Sequence, residues 1–170
     1  MWVGLFLPCN FAIFLQFVQP MIHDPHHTIA ALAVRPPCAL TLTFADGATL
    51  PIDLSSVANA YPALAALRNP TLFATARVDA LGGYVVWIDD DLELAADNLR
   101  NMAIEQAGGI GNERLVNWMH KHDLTQERAA EAIGVSRRML NYYLSGAKAI
   151  PKTVWLACLG WETVGDLAHS

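Results

Sequence analysis

With 170 residues, of which 54% are apolar and 16% charged, the chain can form one ordinary domain or two small ones, and its composition excludes disorder over most of its length. The formal net charge of −5 argues, taken alone, against a nucleic-acid partner. The charge is uneven, because residues 21–111 hold four basic and ten acidic residues, whereas residues 112–170 hold seven basic and six acidic ones. Since charges act over only about 8–10 Å at physiological salt, the C-terminal part remains compatible with DNA binding.

The three cysteines, Cys9, Cys38 and Cys158, lie far apart in the sequence. Their spacing fits neither a disulfide framework nor paired metal ligands. We therefore expect buried, reduced thiols in a cytoplasmic protein that holds no metal and no cofactor.

Residues 1–27 are interpreted as an apolar extension followed by a linker. The first twenty contain no Lys or Arg, and three explanations remain open: translated upstream sequence before a true start at Met21, a membrane or partner-docking segment, or a signal peptide. Pro8, Asn10 and Gln16 interrupt the apolar run, which disfavours a membrane as a partner. In the HDPHH motif that follows, the proline and the lack of a nearby cysteine favour a solvated linker over a metal site.

Residues 28–107 have the pattern of a small α+β domain. The dipeptide Asp46-Gly47 is a hairpin signal between two strand-like runs. A helical segment broken by prolines is expected over residues 61–73, and a helix ended by glycines over residues 95–107. The expected antiparallel sheet has four or five strands, drawn from residues 28–34, 39–44, 48–54, 74–80 and 84–88.

This domain shows no constellation of residues for catalysis. Asp89, Asp90 and Asp91 could bind a cation, but no glycine-bearing calcium-loop spacing follows them, so they predict an acidic turn that closes a strand. The sequence contains no Ser/His/Asp or Cys/His set and no Gly-rich phosphate loop. We therefore do not expect an enzyme.

Three segments of this domain carry a resemblance to a known family: VRPPCALTLTFADGATLPIDL, LRNPTLFATARV and VVWIDDDLELAADNL. Together they are similar to a small bacterial domain known as domain of unknown function 2442, over roughly residues 29–107. The resemblance implies an interaction or regulatory domain, of a kind found beside toxin-like genes or fused to DNA-binding helices. It implies no catalytic residues.

An all-α domain is expected over residues 112–165, after a linker in which three of the four residues 108–111 are glycine. Asn112 would cap the first of four helices, and Pro151 would open the last. The second and third helices would be joined by a tight turn, with caps and turn formed by Thr125, Gly134 and Ser136. Their predicted inner faces are Ala129, Ala130, Ile133, Leu140 and Tyr143.

The outer face of the third helix suits the major groove of DNA. Arginine reads guanine bidentately, asparagine reads adenine, and such a helix enters the groove by its N-terminal end. Gln126 would contact a phosphate or brace this helix, while Lys148 and Lys152 would take backbone phosphates. The candidate DNA-binding residues are Gln126, Ser136, Arg137, Arg138, Asn141, Tyr142, Lys148 and Lys152.

The order L-T-Q-x-x-A-A-x-x-I-G-V-S-x-x-x-L, which begins at Leu124, resembles the helix-turn-helix of phage-repressor-like regulators of the Cro/repressor or XRE type. The similarity covers residues 112–161. It implies a lambda-repressor-like fold for the C-terminal domain. It also implies DNA contacts for Gln126, Ser136, Arg137, Arg138 and Tyr142.

The leading hypothesis is a sequence-specific transcriptional regulator that binds double-stranded DNA and uses its N-terminal domain for partner binding or dimerisation. A homodimer on two half-sites is typical of such helices. Two alternatives remain open. One is an antitoxin that represses its own operon and masks a small basic protein; the other is a protein-interaction module that does not bind DNA.

Overall fold

The computed structural model describes residues 24–88 and 92–167. The predictions for residues 1–20, for His23 and for the aspartates at positions 89–91 lie outside the described residues. In the described part, no helix combines the length and apolar character needed to cross a bilayer.

The strands of the N-terminal half form two antiparallel sheets of three strands each, not one sheet of four or five. In the described chain these strands are β1 (Ile29–Arg35), β2 (Ala39–Phe44), β3 (Thr49–Asp53), β4 (Arg77–Val78), β5 (Tyr84–Trp87) and β6 (Leu92–Ala95). The strand predicted over residues 74–80 is short, because the amides of residues 74–76 donate back to carbonyls of the preceding helical turn. The sequence prediction also missed β6, which runs directly into a helix.

The α-helices of the described chain are α1 (Ser55–Ala60), α2 (Pro70–Phe73), α3 (Ala96–Gln106), α4 (Asn112–Lys121), α5 (Gln126–Ala132), α6 (Arg137–Leu144) and α7 (Lys152–Leu167). The broken helical segment predicted over residues 61–73 consists of a 3-10 helix, Pro62–Arg68, followed by α2. Each begins with a proline, whose fixed φ suits a first helical turn. The α+β character and the C-terminal group of helices agree with the predicted fold class.

The first hydrophobic core lies between the two sheets and α3. Leu40, Leu42 and Phe44 alternate along β2 and are buried, as the sequence pattern predicts. Trp87 is fully buried, and its indole N–H donates to the carbonyl of Phe73 at 3.2 Å. Each such buried side chain contributes about 1.5–3 kcal/mol relative to an exposed one, so this core stabilises the sheets.

The described part of the HDPHH motif is not a solvated linker. Residues Pro25–His27 form a 3-10 turn, and the Asp24 carboxylate accepts from the His26 amide at 3.0 Å. His26 Nδ1 lies 2.7 Å from the Asp46 carboxylate, and Arg100 donates both to the His26 carbonyl and to Asp46. The proline therefore opens a turn docked on the β2–β3 hairpin instead of extending the chain.

The second hydrophobic core lies among α4, α5, α6 and α7. Leu115, Leu140 and Cys158 are completely buried at its centre. Burial raises the pKa of the Cys158 thiol to about 11, so it stays protonated and packs as an apolar side chain. Cys38 is also buried, as predicted, whereas Cys9 lies outside the described residues.

Candidate nucleic-acid interface

The turn between α5 and α6 has the local chemistry that the sequence predicts. The Thr125 hydroxyl accepts from the Arg128 amide at 3.3 Å and caps α5, and the Ser136 hydroxyl accepts from the Met139 amide at 3.2 Å and caps α6. Gly134 lies between the two helices with φ +71°, a backbone conformation that side chains disfavour. Thr125 therefore sets where α5 begins, while Gly134 and Ser136 set where α6 begins and in which direction it leaves the turn.

The inner faces of α5 and α6 are also as predicted. Ala129 and Ala130 are buried, and their small side chains allow α6 to approach closely. Leu140 and Tyr143 on α6 are buried against the same core. With one side of α6 fixed inside the protein, the opposite side has to face outward.

The outward side of α6 carries the predicted recognition residues. Arg137, Arg138 and Asn141 are exposed, and Ser136 lies exposed at the start of the helix. Tyr142 is half-buried. The structure thus brings five of the eight candidates together on one helix and its cap.

Tyr142 is flanked by two cations. The Arg138 Nε donates to the Tyr142 hydroxyl at 3.0 Å, and its guanidinium carbon lies 5.6 Å from the ring centroid. The Lys148 ammonium lies 5.3 Å from the same centroid, and its backbone amide donates to the Tyr142 carbonyl at 3.0 Å. Because an aromatic ring attracts cations, Tyr142 keeps both Arg138 and Lys148 close to its ring at the protein surface.

Arg137 makes an ion pair that the sequence analysis did not anticipate. Its Nη1 lies 2.6 Å from Glu127 Oε1, which joins the start of α6 to the first turn of α5. Both side chains are more than half exposed. The pair therefore remains accessible to an incoming ligand.

The remaining two candidates lie at the starts of other helices. Gln126, the first residue of α5, is half-buried beside an open groove that Met119 and Leu144 also line. Lys152 is exposed at the first position of α7. Since the N-terminus of a helix carries partial positive charge, the start of α7 together with Lys152 favours an anion.

Asn112 does not cap α4, contrary to the sequence prediction. Gly111 occupies the cap position without a side-chain bond, and Asn112 is the first residue of the helix. The Asn112 side-chain amide instead donates to the carbonyl of Leu144, the last residue of α6, at 2.9 Å. The sequence did not predict this role of Asn112 or the ion pair of Glu127, because each depends on a partner on another helix. An asparagine or a glutamate in the first turn of a helix does not by itself indicate such a partner.

A family model described as Protein of unknown function (DUF2442) matches residues 29–105, and one described as Helix-turn-helix matches residues 117–158. The chain belongs to the DUF2442 family. The crystal structure of "Putative DNA Binding Protein NE0471" from Nitrosomonas europaea is similar to this DUF2442 protein, with a TM-score of 0.73 and 38% identity over 79% of this chain and 86% of that one. The matches confirm both resemblances drawn from the sequence. No curated protein matches the sequence significantly.

Within this DUF2442 protein, the helix-turn-helix match contains α5 and α6 with all eight candidate residues. The DUF2442 match ends inside α3, before the glycine-rich segment. The described residues contain no group of three or more His, Cys, Asp or Glu side chains able to hold a metal ion.

Proposed function

We propose that this protein is a sequence-specific DNA-binding transcriptional regulator. The observation that carries the proposal is the outward face of α6, where Arg137, Arg138 and Asn141 are exposed on a helix whose other side is buried. Arginine pairs bidentately with guanine O6 and N7, and asparagine with adenine N6 and N7. The helix presents these groups from its N-terminal half, the end that enters the major groove in helix-turn-helix proteins.

Backbone contacts flank the base-reading face in this proposal. Lys148 projects beside Tyr142 just after α6, and Lys152 lies at the N-terminus of α7. The ammonium groups of these two lysines and the N-terminus of α7 suit contacts with phosphates on the DNA strand next to the major groove. Gln126, at the start of α5, takes a phosphate on the other side of α6 or supports that helix.

The experiment that tests the proposal is the selection of bound fragments from a bacterial genomic DNA library at about 100 mM salt, a concentration at which purely non-specific binding is already weakened. We expect a recurrent sequence motif among the retained fragments. If the retained fragments share no motif, the protein binds DNA non-specifically and the claim of sequence specificity is refuted. If no fragments are retained, the whole proposal is refuted.

A homodimer completes this proposal, because two-fold helix-turn-helix proteins read half-sites about 34 Å apart. Leu156, Leu159 and Val164 share one side of α7 and are 53%, 40% and 67% exposed. Exposed apolar patches of this kind mark protein contacts, and a second copy of the chain is the occupant that a two-fold operator requires.

Sedimentation equilibrium tests the dimer. Wild type should dimerise at micromolar concentration, and the double variant Leu156→Asp/Val164→Asp should be monomeric with unchanged helix content. Val116→Asp, another exposed apolar position but on α4, is the matched control and should remain dimeric. A monomeric wild type would contradict the dimer. Trp155 and Trp161 on the same helix are half-buried against the core, and the Trp161 ring packs edge-on against Trp118 with 5.6 Å between the ring centroids.

A small basic protein is a second candidate partner, on the hypothesis that the protein is an antitoxin. The observation that favours it is the excess of acidic residues in residues 21–111, with ten acidic and four basic side chains. Co-purification of a basic protein encoded in the neighbouring gene would support it. Failure of such a neighbour to bind the purified chain would refute it.

A further inference from the structure

The contact between the DUF2442 part and the helix-turn-helix part is built from specific polar bonds. Asn101 on α3 is the one polar residue that is buried within the described part of the chain, at 6% exposure. Its side-chain oxygen accepts from the backbone amide of Asn112 at 2.9 Å. Asn112 in turn donates through its side chain to the carbonyl of Leu144. A chain of two hydrogen bonds therefore runs from α3 to the C-terminal end of α6.

The segment between the two parts is tightly packed, although its glycine content predicts a flexible linker. A Cβ atom at Gly111 would lie 2.9 Å from the Asn101 side-chain oxygen and 3.1 Å from Glu105 Oε1. Gly111 has φ −69° and ψ 149°, which any residue can adopt, so the glycine is required by this close approach and not by its backbone conformation. An ion pair of 2.6 Å between Arg114 and Glu105 lies beside it.

Apolar packing does not fill this contact. A cavity of about 160 Å³ lies there, lined from one side by Arg100 and Asn101 and from the other by Tyr143 and Lys148. Because this space leaves the apolar residues that line it, among them Ile104 and Ile110, incompletely packed, the named polar bonds add directional constraints on the relative orientation.

We propose that Asn112, held by Asn101, is a positioning residue through which the DUF2442 part sets the direction of the recognition helix α6. The proposal rests on the proposed DNA-binding function. Asn112 is not one of the candidate DNA-binding residues; its side chain satisfies a carbonyl at the end of α6, and its backbone amide ties that end to α3. The DUF2442 part thereby affects DNA binding by fixing the orientation of α6.

The variant Asn112→Asp separates positioning from folding. An aspartate cannot donate to the Leu144 carbonyl, so the link to α6 is lost. At the first position of α4 its negative charge is favourable to the helix, so the melting temperature should stay near that of wild type. Asn117→Asp, at an exposed position on the same helix, makes the same change in charge without touching the link.

We expect Asn112→Asp to weaken binding to the selected operator about three- to tenfold more than Asn117→Asp does, the range expected for one hydrogen bond. Asn112→Gln, which keeps the donor on a longer side chain, should recover part of the loss. Equal affinities for the two aspartate variants would overturn the proposal.

A second measurement tests positioning without DNA. Residual dipolar couplings of the free protein should give one orientation of α6 relative to the β-sheets in wild type and in Gly83→Ala, where an added Cβ meets only an ordinary contact. Gly111→Ala, whose added Cβ would push against Asn101, should change or broaden that orientation. An unchanged orientation would overturn the positioning role even if DNA binding is established. If wild type has a single orientation that Gly111→Ala changes, but the protein binds no DNA, then only the proposed function is refuted and the positioning role stands.

Discussion

The guanidinium of Arg137 lies 2.6 Å from the carboxylate of Glu127, across the turn that joins α5 to α6. The two side chains are 62% and 59% exposed, and exposed ion pairs contribute only about 0–1 kcal/mol to stability. A guanine edge or a phosphate can therefore replace Glu127 as the partner of Arg137 at little cost. The pair holds Arg137 at the surface of α6, where the proposed function needs its guanidinium to be accessible.

Glu127→Gln should strengthen DNA binding. The change frees Arg137 and removes a negative charge that repels phosphates, so we expect a gain of about two- to fivefold at low salt, comparable to one exposed ion pair. Fluorescence anisotropy with labelled operator measures it. Glu131→Gln, one turn further along α5 and also exposed, is the control and should have a smaller effect. A loss of affinity on Glu127→Gln would show that the pair is needed to orient Arg137.

Ser136 has a structural role that can be separated from its predicted role at the DNA. Ser136→Ala removes the cap of α6 and should lower the free energy of unfolding by about 1 kcal/mol. Ser136→Asp keeps a capping oxygen and adds a charge that suits a helix N-terminus, so its stability should be close to wild type. Its affinity for DNA should nevertheless fall, because the proposed function places this carboxylate close to the phosphates. Urea denaturation and anisotropy together check this, and undiminished affinity in Ser136→Asp would place that end of α6 away from DNA.

Lys148 is expected to report on phosphate contact through salt dependence. Removing one phosphate contact lowers the slope of log Kd against log salt by about 1. We therefore expect Lys148→Ala to lower this slope. Lys121→Ala, which changes a lysine of α4 paired with Glu162 and not among the candidate DNA-binding residues, should leave it unchanged. Equal slopes for both variants would contradict the placement of Lys148. Tyr142→Ala should reproduce part of the effect of Lys148→Ala, since it removes the ring that Lys148 faces.

Much of the helix-turn-helix formed by α5 and α6 could be predicted, because its helix caps and its turn are encoded by neighbouring residues. Thr125, Gly134 and Ser136 each act within a few residues of their own position, and the structure places them as caps and turn. The buried faces of α5 and α6 follow from helical periodicity in the same way. The β-strands of the N-terminal part could also be predicted, as in β2, where apolar residues alternate with threonines.

Three of the errors concern residues or strands whose partners are distant in sequence. Asn112 is a good helix cap by type, but its side chain finds the Leu144 carbonyl 32 residues away. The division of the strands into two sheets depends on how β1 and β4 meet, which no local pattern encodes. His26 was assigned to a linker from the neighbouring proline and the lack of a nearby cysteine, and its partner Asp46, 20 residues further along, left no local signal.

The interactions of Asp46 with Arg100 and His26 make the free energy of unfolding depend on pH in the acid range. The hydrogen bond from Arg100 holds the pKa of the Asp46 carboxyl well below its usual range, and the bond from His26 acts in the same direction. Because the folded pKa is depressed, the stabilisation is complete above the unfolded pKa of about 3.9 and is lost as the pH falls below it. The free energy of unfolding should therefore decrease between pH 5 and pH 3 more steeply in wild type than in Asp46→Asn.

Asp46→Asn should itself be less stable than wild type at pH 7, by about 1–3 kcal/mol, because Arg100 is largely buried and loses a charged partner. Urea denaturation at several pH values measures both effects. Glu93→Gln, which changes an exposed carboxylate on β6, is the control and should keep the wild-type pH profile. Parallel profiles for wild type and Asp46→Asn would contradict the assignment.

The central claim is that the outward face of α6 reads DNA sequence, and operator affinity tests it most directly. Binding of the selected operator and of an unrelated duplex should be compared for wild type, Arg137→Ala and Arg138→Ala at about 100 mM salt, where specific binding persists. We expect each substitution to cost about 1–3 kcal/mol on the operator and much less on the unrelated duplex. Equal losses on both duplexes, or no loss on either, would contradict the claim.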